Sequence, residues 1–315
     1  MKYRLKAYSI MEYGRRKDSS GRPHQEDCIY PPEGRLSDGD RTFILCDGMG
    51  GHDAGEVASA SVCDAMGRAA AHRSPSGDGI FTQSDFEEAL NAAFLALDEK
   101  DTHAAKKMGT TLTFLRLHEG GAFIAHIGDS RVYHIRPGKT GKETVILHET
   151  SDHSLVNELI KAGELTRESA RKSVQKNVIT RALQPNPVSR PKADIYETSD
   201  IRPGDYFYLC SDGMLEQPDM ENGTSLKNIF SRKGGAPADK VNILRSVTAH
   251  NKDNHSAIVI YIEDVMDKDK TGKAREQRDT DRSDSDKLRY RNKSIVIFCI
   301  AGLIAAIAAL IWKMS

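Results

Sequence analysis

Phe43-Ile44-Leu45-Cys46-Asp47-Gly48-Met49-Gly50-Gly51 is an apolar run that ends in an acid and a glycine-rich turn. The same arrangement returns in the second half of the chain as Tyr206-Phe207-Tyr208-Leu209-Cys210-Ser211-Asp212-Gly213. Each reads as a buried strand that delivers a carboxylate at its end, with glycine letting the backbone turn or approach a ligand closely. Further acids occupy comparable settings: Glu26-Asp27 after Arg22, Asp129 in Gly128-Asp129-Ser130-Arg131, and Asp253 in Asp253-Asn254-His255-Ser256. Acids gathered at strand ends, with no His or Cys ligand pattern beside them, suit hard, oxygen-preferring divalent cations such as Mg²⁺ or Mn²⁺. One such turn says little, but their repetition points to a metal centre.

Outward from these turns, strand patterns recur at 42–46, 111–117, 122–127, 132–135, 144–147, 206–210 and 257–262. Helical periodicity covers 55–71, 84–107, 154–162, 167–174 and 240–251, and Ser84 stands three residues before Glu87 in capping-box spacing. Consecutive strands around short turns such as Gly120-Gly121 imply antiparallel pairing rather than βαβ repeats. The expectation is an α+β fold, a sheet-rich core with two long helices inserted early and others late.

The 315 residues suffice for one large or two ordinary domains. Forty-five basic and 45 acidic residues cancel, so no global field recruits nucleic acid and the binding chemistry must be local. Cys28, Cys46, Cys63, Cys210 and Cys299 are scattered and lack zinc spacing, which suits free thiols in a reducing compartment. No apolar stretch of signal-peptide length follows Met1-Lys2-Tyr3-Arg4-Leu5-Lys6. Residues 295–312 form an uncharged run which, as a helix at about 1.5 Å per residue, spans roughly 27 Å. Lys287, Arg289, Arg291 and Lys293 precede it and orient the preceding domain toward the cytoplasm. The expected organisation is a catalytic domain over 1–263, a charged flexible linker over 264–293 and a single transmembrane segment over 294–315.

The acid turns belong to an ordered series of short motifs. Arg22-Pro23-His24-Gln25-Glu26-Asp27, Asp47-Gly48-Met49-Gly50-Gly51, Gly109-Thr110-Thr111-Leu112 and Ala125-His126-Ile127-Gly128-Asp129-Ser130-Arg131 open it. Asp152-His153-Ser154, Ile179-Thr180-Arg181-Ala182-Leu183, Ser211-Asp212-Gly213 and Asp253-Asn254 follow. In this order, from about Arg22 to Ile262, the chain resembles the metal-dependent serine/threonine protein phosphatase 2C family, in its bacterial form. The resemblance implies a sandwich of two antiparallel β-sheets flanked by helices, with two or three Mn²⁺ or Mg²⁺ ions at one end. It assigns Asp47 as the bridging ligand, with Glu26, the Gly48 carbonyl, Asp212 and Asp253 completing the shells. Asp129 would serve an additional, weaker ion, and Arg22 would grip the substrate phosphate with its guanidinium fork. A metal-activated water would then attack phosphorus without a covalent enzyme intermediate.

Met49 stands where eukaryotic relatives often carry a histidine after the Asp-Gly, and His52 reads as a surface histidine rather than the missing general acid. Residues 152–183 correspond to the family's flap beside the active site, with His153 and Arg181 read as structural. The implied function is hydrolysis of phosphoserine and phosphothreonine in proteins, opposing a cognate protein kinase at the cytoplasmic face of the inner membrane. Two alternatives differ in kind: a phosphatase-like regulatory module without turnover, and a hydrolase of small phosphorylated molecules. The presence of Glu26, Asp47, Asp212 and Asp253 together favours turnover.

Overall fold

The structure is a computed structural model, and it describes residues 2–15, 21–50, 54–73, 79–101, 107–138, 143–186, 188–231 and 235–266. Residues Met1–Val265 form one compact unit. Its strands are β1 (Lys2–Glu12), β2 (Asp27–Tyr30), β3 (Thr42–Met49), β4 (Gly109–Thr110), β5 (Leu112–His118), β6 (Gly121–Ile127), β7 (Arg131–Arg136), β8 (Val145–Glu149), β9 (Asp194–Thr198), β10 (Tyr206–Cys210) and β11 (His255–Met266). They build two sheets, ordered β1-β11-β10-β7-β8 and β2-β3-β5-β6-β9, with β4 paired to β3 beyond that path. The pairings β2–β3, β3–β5, β5–β6, β6–β9, β7–β8, β7–β10 and β10–β11 are all antiparallel.

Side chains alternate faces along a strand, so a strand buried on both faces reads as one continuous apolar run. In β3, Phe43 and Leu45 join Leu115, Ile124, Phe207, Leu209, Ile258 and Ile260 in a core between the two sheets. Ile44 and Cys46 face the other way, into a second core with the helices α1 (Ala54–Arg73) and α2 (Gln83–Asp98). Phe81, Phe86, Phe114 and Phe123 are its centre, with ring centroids 5.3–6.2 Å apart. On the far side, α7 (Pro237–Thr248) and the short α6 (Thr224–Ile229) cover the first sheet through Leu226, Phe230, Val241 and Leu244. The result is four layers, helix–sheet–sheet–helix, and the expected sandwich is present.

Several boundaries differ from expectation. Helix α2 is capped by Thr82, whose hydroxyl accepts from the Asp85 amide while the Asp85 carboxylate accepts from the Thr82 amide, so the box sits two residues before Ser84. The helix ends at Asp98 because its buried stripe of Phe86, Ala89, Leu90, Ala93, Phe94 and Leu97 stops there. Strands β1, β2 and β9 were not expected: β1 and β9 carry mixed polar and charged sequences, and β2 is only four residues long. No helix among the described residues is long and apolar enough to cross a membrane. Strand β11 runs to Met266, so 264–266, expected in the linker, belong to the sheet, while the rest of the linker from 267 and the apolar run at 295–312 lie outside the described residues.

Candidate active site

Strand parity brings the acids together. Asp47 follows Phe43 and Leu45 on the inter-sheet face of β3, and Asp27 on β2 is its cross-strand partner. From the other sheet, β10 runs into Ser211 and a 3₁₀ turn over Asp212–Leu215, while β11 is entered through Asp253 and Asn254. The Ser211 hydroxyl donates to Asp27 Oδ2 at 2.9 Å, tying the two sheets at this end. The Gly-Thr-Thr motif fixes the end of β3. The Asp47 amide donates to Thr111 Oγ1 at 2.9 Å, and Thr110 Oγ1 and the Thr111 amide both donate to the Asp47 carbonyl at 2.9 Å. Gly48 is required on steric grounds, since a Cβ there would overlap the Gly55 carbonyl.

Side chains that the sequence reading missed stitch the ligand-bearing loops to one another. Asn254 Oδ1 accepts from the Glu26 amide at 2.9 Å, and its Nδ2 donates to the His24 carbonyl at 2.8 Å. Glu216, just beyond the Asp212 turn, accepts from the amides of Lys252 at 2.9 Å and Asp253 at 2.8 Å. Asn251 donates to the Gly213 carbonyl at 2.5 Å. A Cβ on Gly213 would collide with the Asn254 carbonyl, so the two loops meet backbone to backbone. Only Asn254 stood beside a flagged acid in the sequence. Glu216 and Asn251 acquire a role solely through contacts between segments distant in the chain.

The electrostatics follow from this crowding. Burial first, then the neighbouring Asp27, Asp212, Asp129 and Asp253, pushes Asp47 well above the usual carboxylate range. Burial and Asp253 raise Asp212 to about 6, and burial and Asp212 raise Asp129 to about 8. Asp27 is raised to about 7, chiefly by burial. Asp47 and Asp212 are neighbours, and each shifts the proton affinity of the other. Asp129 Oδ1 is buried and finds no hydrogen-bond partner among the described residues. Carboxylates from both sheets, an adjacent main-chain carbonyl and no sulfur or imidazole in the set fit hard divalent cations.

Three of these acids, Asp129, Asp212 and Asp253, lie along a groove of about 830 Å³. Its other wall is the flap, α3 (Leu155–Lys161) and α4 (Arg167–Lys172), which contributes Val156, Ile160, Lys161 and Arg167. Arg22 is exposed in the segment before β2, and Arg22, Glu26 and Asp47 do not line the groove. His52, weighed as a general acid, lies outside the described residues, and Met49 ends β3.

His126, His153 and Asp194 form a second group of ligand-type side chains. The two imidazoles stack with centroids 4.6 Å apart at 11°, so their in-plane lone pairs run parallel instead of converging on an ion. His153 instead clamps the Asp129 turn: its amide donates to the Gly128 carbonyl at 2.9 Å and its Nδ1 accepts from the Gly128 amide at 3.1 Å. Arg181 pairs with Asp194 at 2.9 Å behind it. The structural reading of His153 and Arg181 agrees with this arrangement.

A four-layer sandwich with an oxygen-only acid cluster at one end is the architecture of a metal-dependent phosphatase. The protein phosphatase 2C family model matches residues 13–240, and the chain belongs to that family. Protein phosphatase PhpP of Streptococcus pneumoniae is 38% identical over 198 residues, which is 60% of this chain and 72% of its own. The PPM Ser-Thr phosphatase MsPP of Mycobacterium smegmatis, solved with cacodylate, superposes with a TM-score of 0.63 at 27% identity, over 83% of this chain and 100% of its own. The catalytic domain of the serine/threonine phosphatase PstP, solved with two manganese ions, gives 0.63 at 27% identity over 82% of this chain and 99% of its own. The enzyme class is that of the protein serine/threonine phosphatases.

Two outcomes follow from the site. A carboxylate whose folded pKa is raised binds protons on folding, so the slope of unfolding free energy against pH is negative above its unfolded value of 3.8. The metal-free protein should therefore lose stability as pH rises from about 4 through about 8, the values reached by Asp212 and Asp129. Added Mn²⁺ should raise the melting temperature more at pH 8 than at pH 5, and calorimetric scans with and without chelator measure this. Glu216→Ala should weaken binding of the core metals several-fold by freeing the Asp253 turn, while kcat at saturating Mn²⁺ changes little. Metal titrations of the variant read that directly.

Proposed function

We propose that this chain hydrolyses phosphoserine and phosphothreonine in proteins, using two or three Mn²⁺ or Mg²⁺ ions. Glu26, Asp47, the Gly48 carbonyl, Asp212 and Asp253 would hold the main pair, and Asp129 the additional ion. The observation that carries the reading is the convergence of acids from both sheets: Asp47 opposite Asp27, Asp27 tied to Ser211 beside Asp212, and three acids lining one groove. When bound, the ions supply Lewis-acid activation of water and neutralise charge on the phosphate. The chain's own part is geometric. Thr110 and Thr111 hold Asp47, Asn254 holds the Glu26 loop, and Glu216 holds the Asp253 turn, so the ligand set is placed before substrate arrives. Arg22 lies on the exposed segment leading to Glu26, and its planar fork suits a phosphate held at the metals.

Phosphothreonine peptide hydrolysis should require Mn²⁺ or Mg²⁺ and stop on chelation. Asp212→Asn should lower turnover by roughly two to four orders of magnitude, because a charge directly on a metal ligand is lost. Turnover that survives both chelation and Asp212→Asn would overturn the mechanism.

The membrane setting is part of the proposal and rests on sequence. The 295–312 run and the Lys287, Arg289, Arg291 and Lys293 cluster support attachment to the inner membrane with the catalytic domain in the cytoplasm, where a protein kinase would supply its substrates. The protein should sediment with membranes and resist carbonate extraction, and removal of residues from about 267 onward should release an active soluble domain. Protease added outside spheroplasts should leave the domain intact, and its digestion would reverse the topology.

A further inference from the structure

We propose that the flap selects phosphoprotein segments that carry additional negative charge beside the phosphorylated residue, through Lys161, Arg167 and Lys176, with Lys252 from the Asp253 loop. The inference rests on the phosphatase reading above and adds a substrate class to it. All four cations line the groove, and all four are exposed. Their side chains have no hydrogen-bond or ion-pair partner among the described residues. The acids of the same groove are already engaged. Asp152 receives both arms of a bidentate Arg131 fork, at 2.6 and 2.7 Å, and Glu149 takes a further Arg131 nitrogen at 3.0 Å. Glu216 is occupied by the Lys252 and Asp253 amides, and Glu221 is engaged as well. Asp129, Asp212 and Asp253 would be taken up by the cations of the proposed metal site. Outside the acids of the proposed metal site, the charged side chains of the groove left without a partner are therefore these four cations, although the chain as a whole is neutral.

Shape points the same way. About 830 Å³ exceeds what one phosphate needs and suits several residues of an extended peptide. Val156 and Ile160 are half-buried in the groove on the helix that ends at Lys161, so they offer a small apolar contact beside the charges. A phosphoresidue seated at the acid end would leave its neighbours along the flap. There, carboxylates or a second phosphate would meet the free ammonium groups and the Arg167 fork. Exposed pairs of this kind are individually weak and screened by salt, so the selection must be collective and strongest at low ionic strength.

The test uses the full-length chain loaded with Mn²⁺. It compares kcat/KM for three phosphothreonine peptides of equal length: neutral flanks, aspartate flanks, and a second phosphothreonine nearby. p-Nitrophenyl phosphate serves as a substrate too small to reach the flap. The charged peptides should be favoured about tenfold at low salt, with the advantage shrinking as salt is added. Lys161→Glu, Arg167→Glu and Lys176→Glu combined should erase it while p-nitrophenyl phosphate hydrolysis stays unchanged. An advantage confined to aspartate flanks assigns the cations to carboxylates, and one confined to the doubly phosphorylated peptide assigns them to a second phosphate; either supports the inference. Equal kcat/KM for all three peptides overturns it and leaves the phosphatase standing, as does an advantage that survives the triple variant. Failure to hydrolyse any of the four substrates overturns the phosphatase reading and the inference with it.

Discussion

Like-charged carboxylates pressed together out of bulk water repel one another, and the protein holds Asp47, Asp212 and Asp129 in that condition. An isolated chain would relieve the strain by moving them apart or by protonating them. Here movement is denied, because the acids sit on elements that are each fixed twice. A strand or turn sets the backbone, and a side chain from elsewhere pins it: Thr111 at Asp47, Asn254 at Glu26 and Glu216 at Asp253. Burial makes the arrangement costly when empty and favourable once a divalent cation enters, so the fold stores its selectivity in the spacing of like charges.

The layers exist to hold that spacing. Phe43 and Leu45 face one core while Ile44 and Cys46 face another, and the same alternation that satisfies both cores aims Asp47 between the sheets. A register slip of one residue in β3 would bury the wrong side chains in both cores and turn the acid toward the helices. The apolar packing thus sets the position of the charge, and the Ser211–Asp27 bond locks the sheets together at the same end.

Much of this could be read from the sequence because it is local. Continuous apolar runs ending in Asp-Gly marked β3 and β10, and Gly-Thr-Thr marked the start of the strand that braces Asp47. What stayed hidden depends on distant contacts or on mixed patterns. In β1, Tyr3 and Leu5 alternate with Lys2, Arg4 and Lys6, and those charges mask a strand that is buried on one face only. Strand β9 is short, lies at a sheet edge and is largely exposed. The capping pair Thr82–Asp85 competed with the equally plausible Ser84–Glu87 spacing, and the preference was decided by where the buried stripe of α2 begins. Glu216 and Asn251 carry no local signature at all.

The position of Asp253 has a consequence for how the enzyme comes into being. It immediately precedes β11, the strand that sits between β1 and β10 in the first sheet. During synthesis, every other acid of the cluster emerges before the strand that completes the sheet. A nascent chain can gather Glu26, Asp47, Asp129 and Asp212, yet it lacks both Asp253 and the strand that joins β1 to β10. With the proposed ligand set, catalytic competence waits until β11 has emerged, and a product terminated before Asp253 is silent rather than partly active.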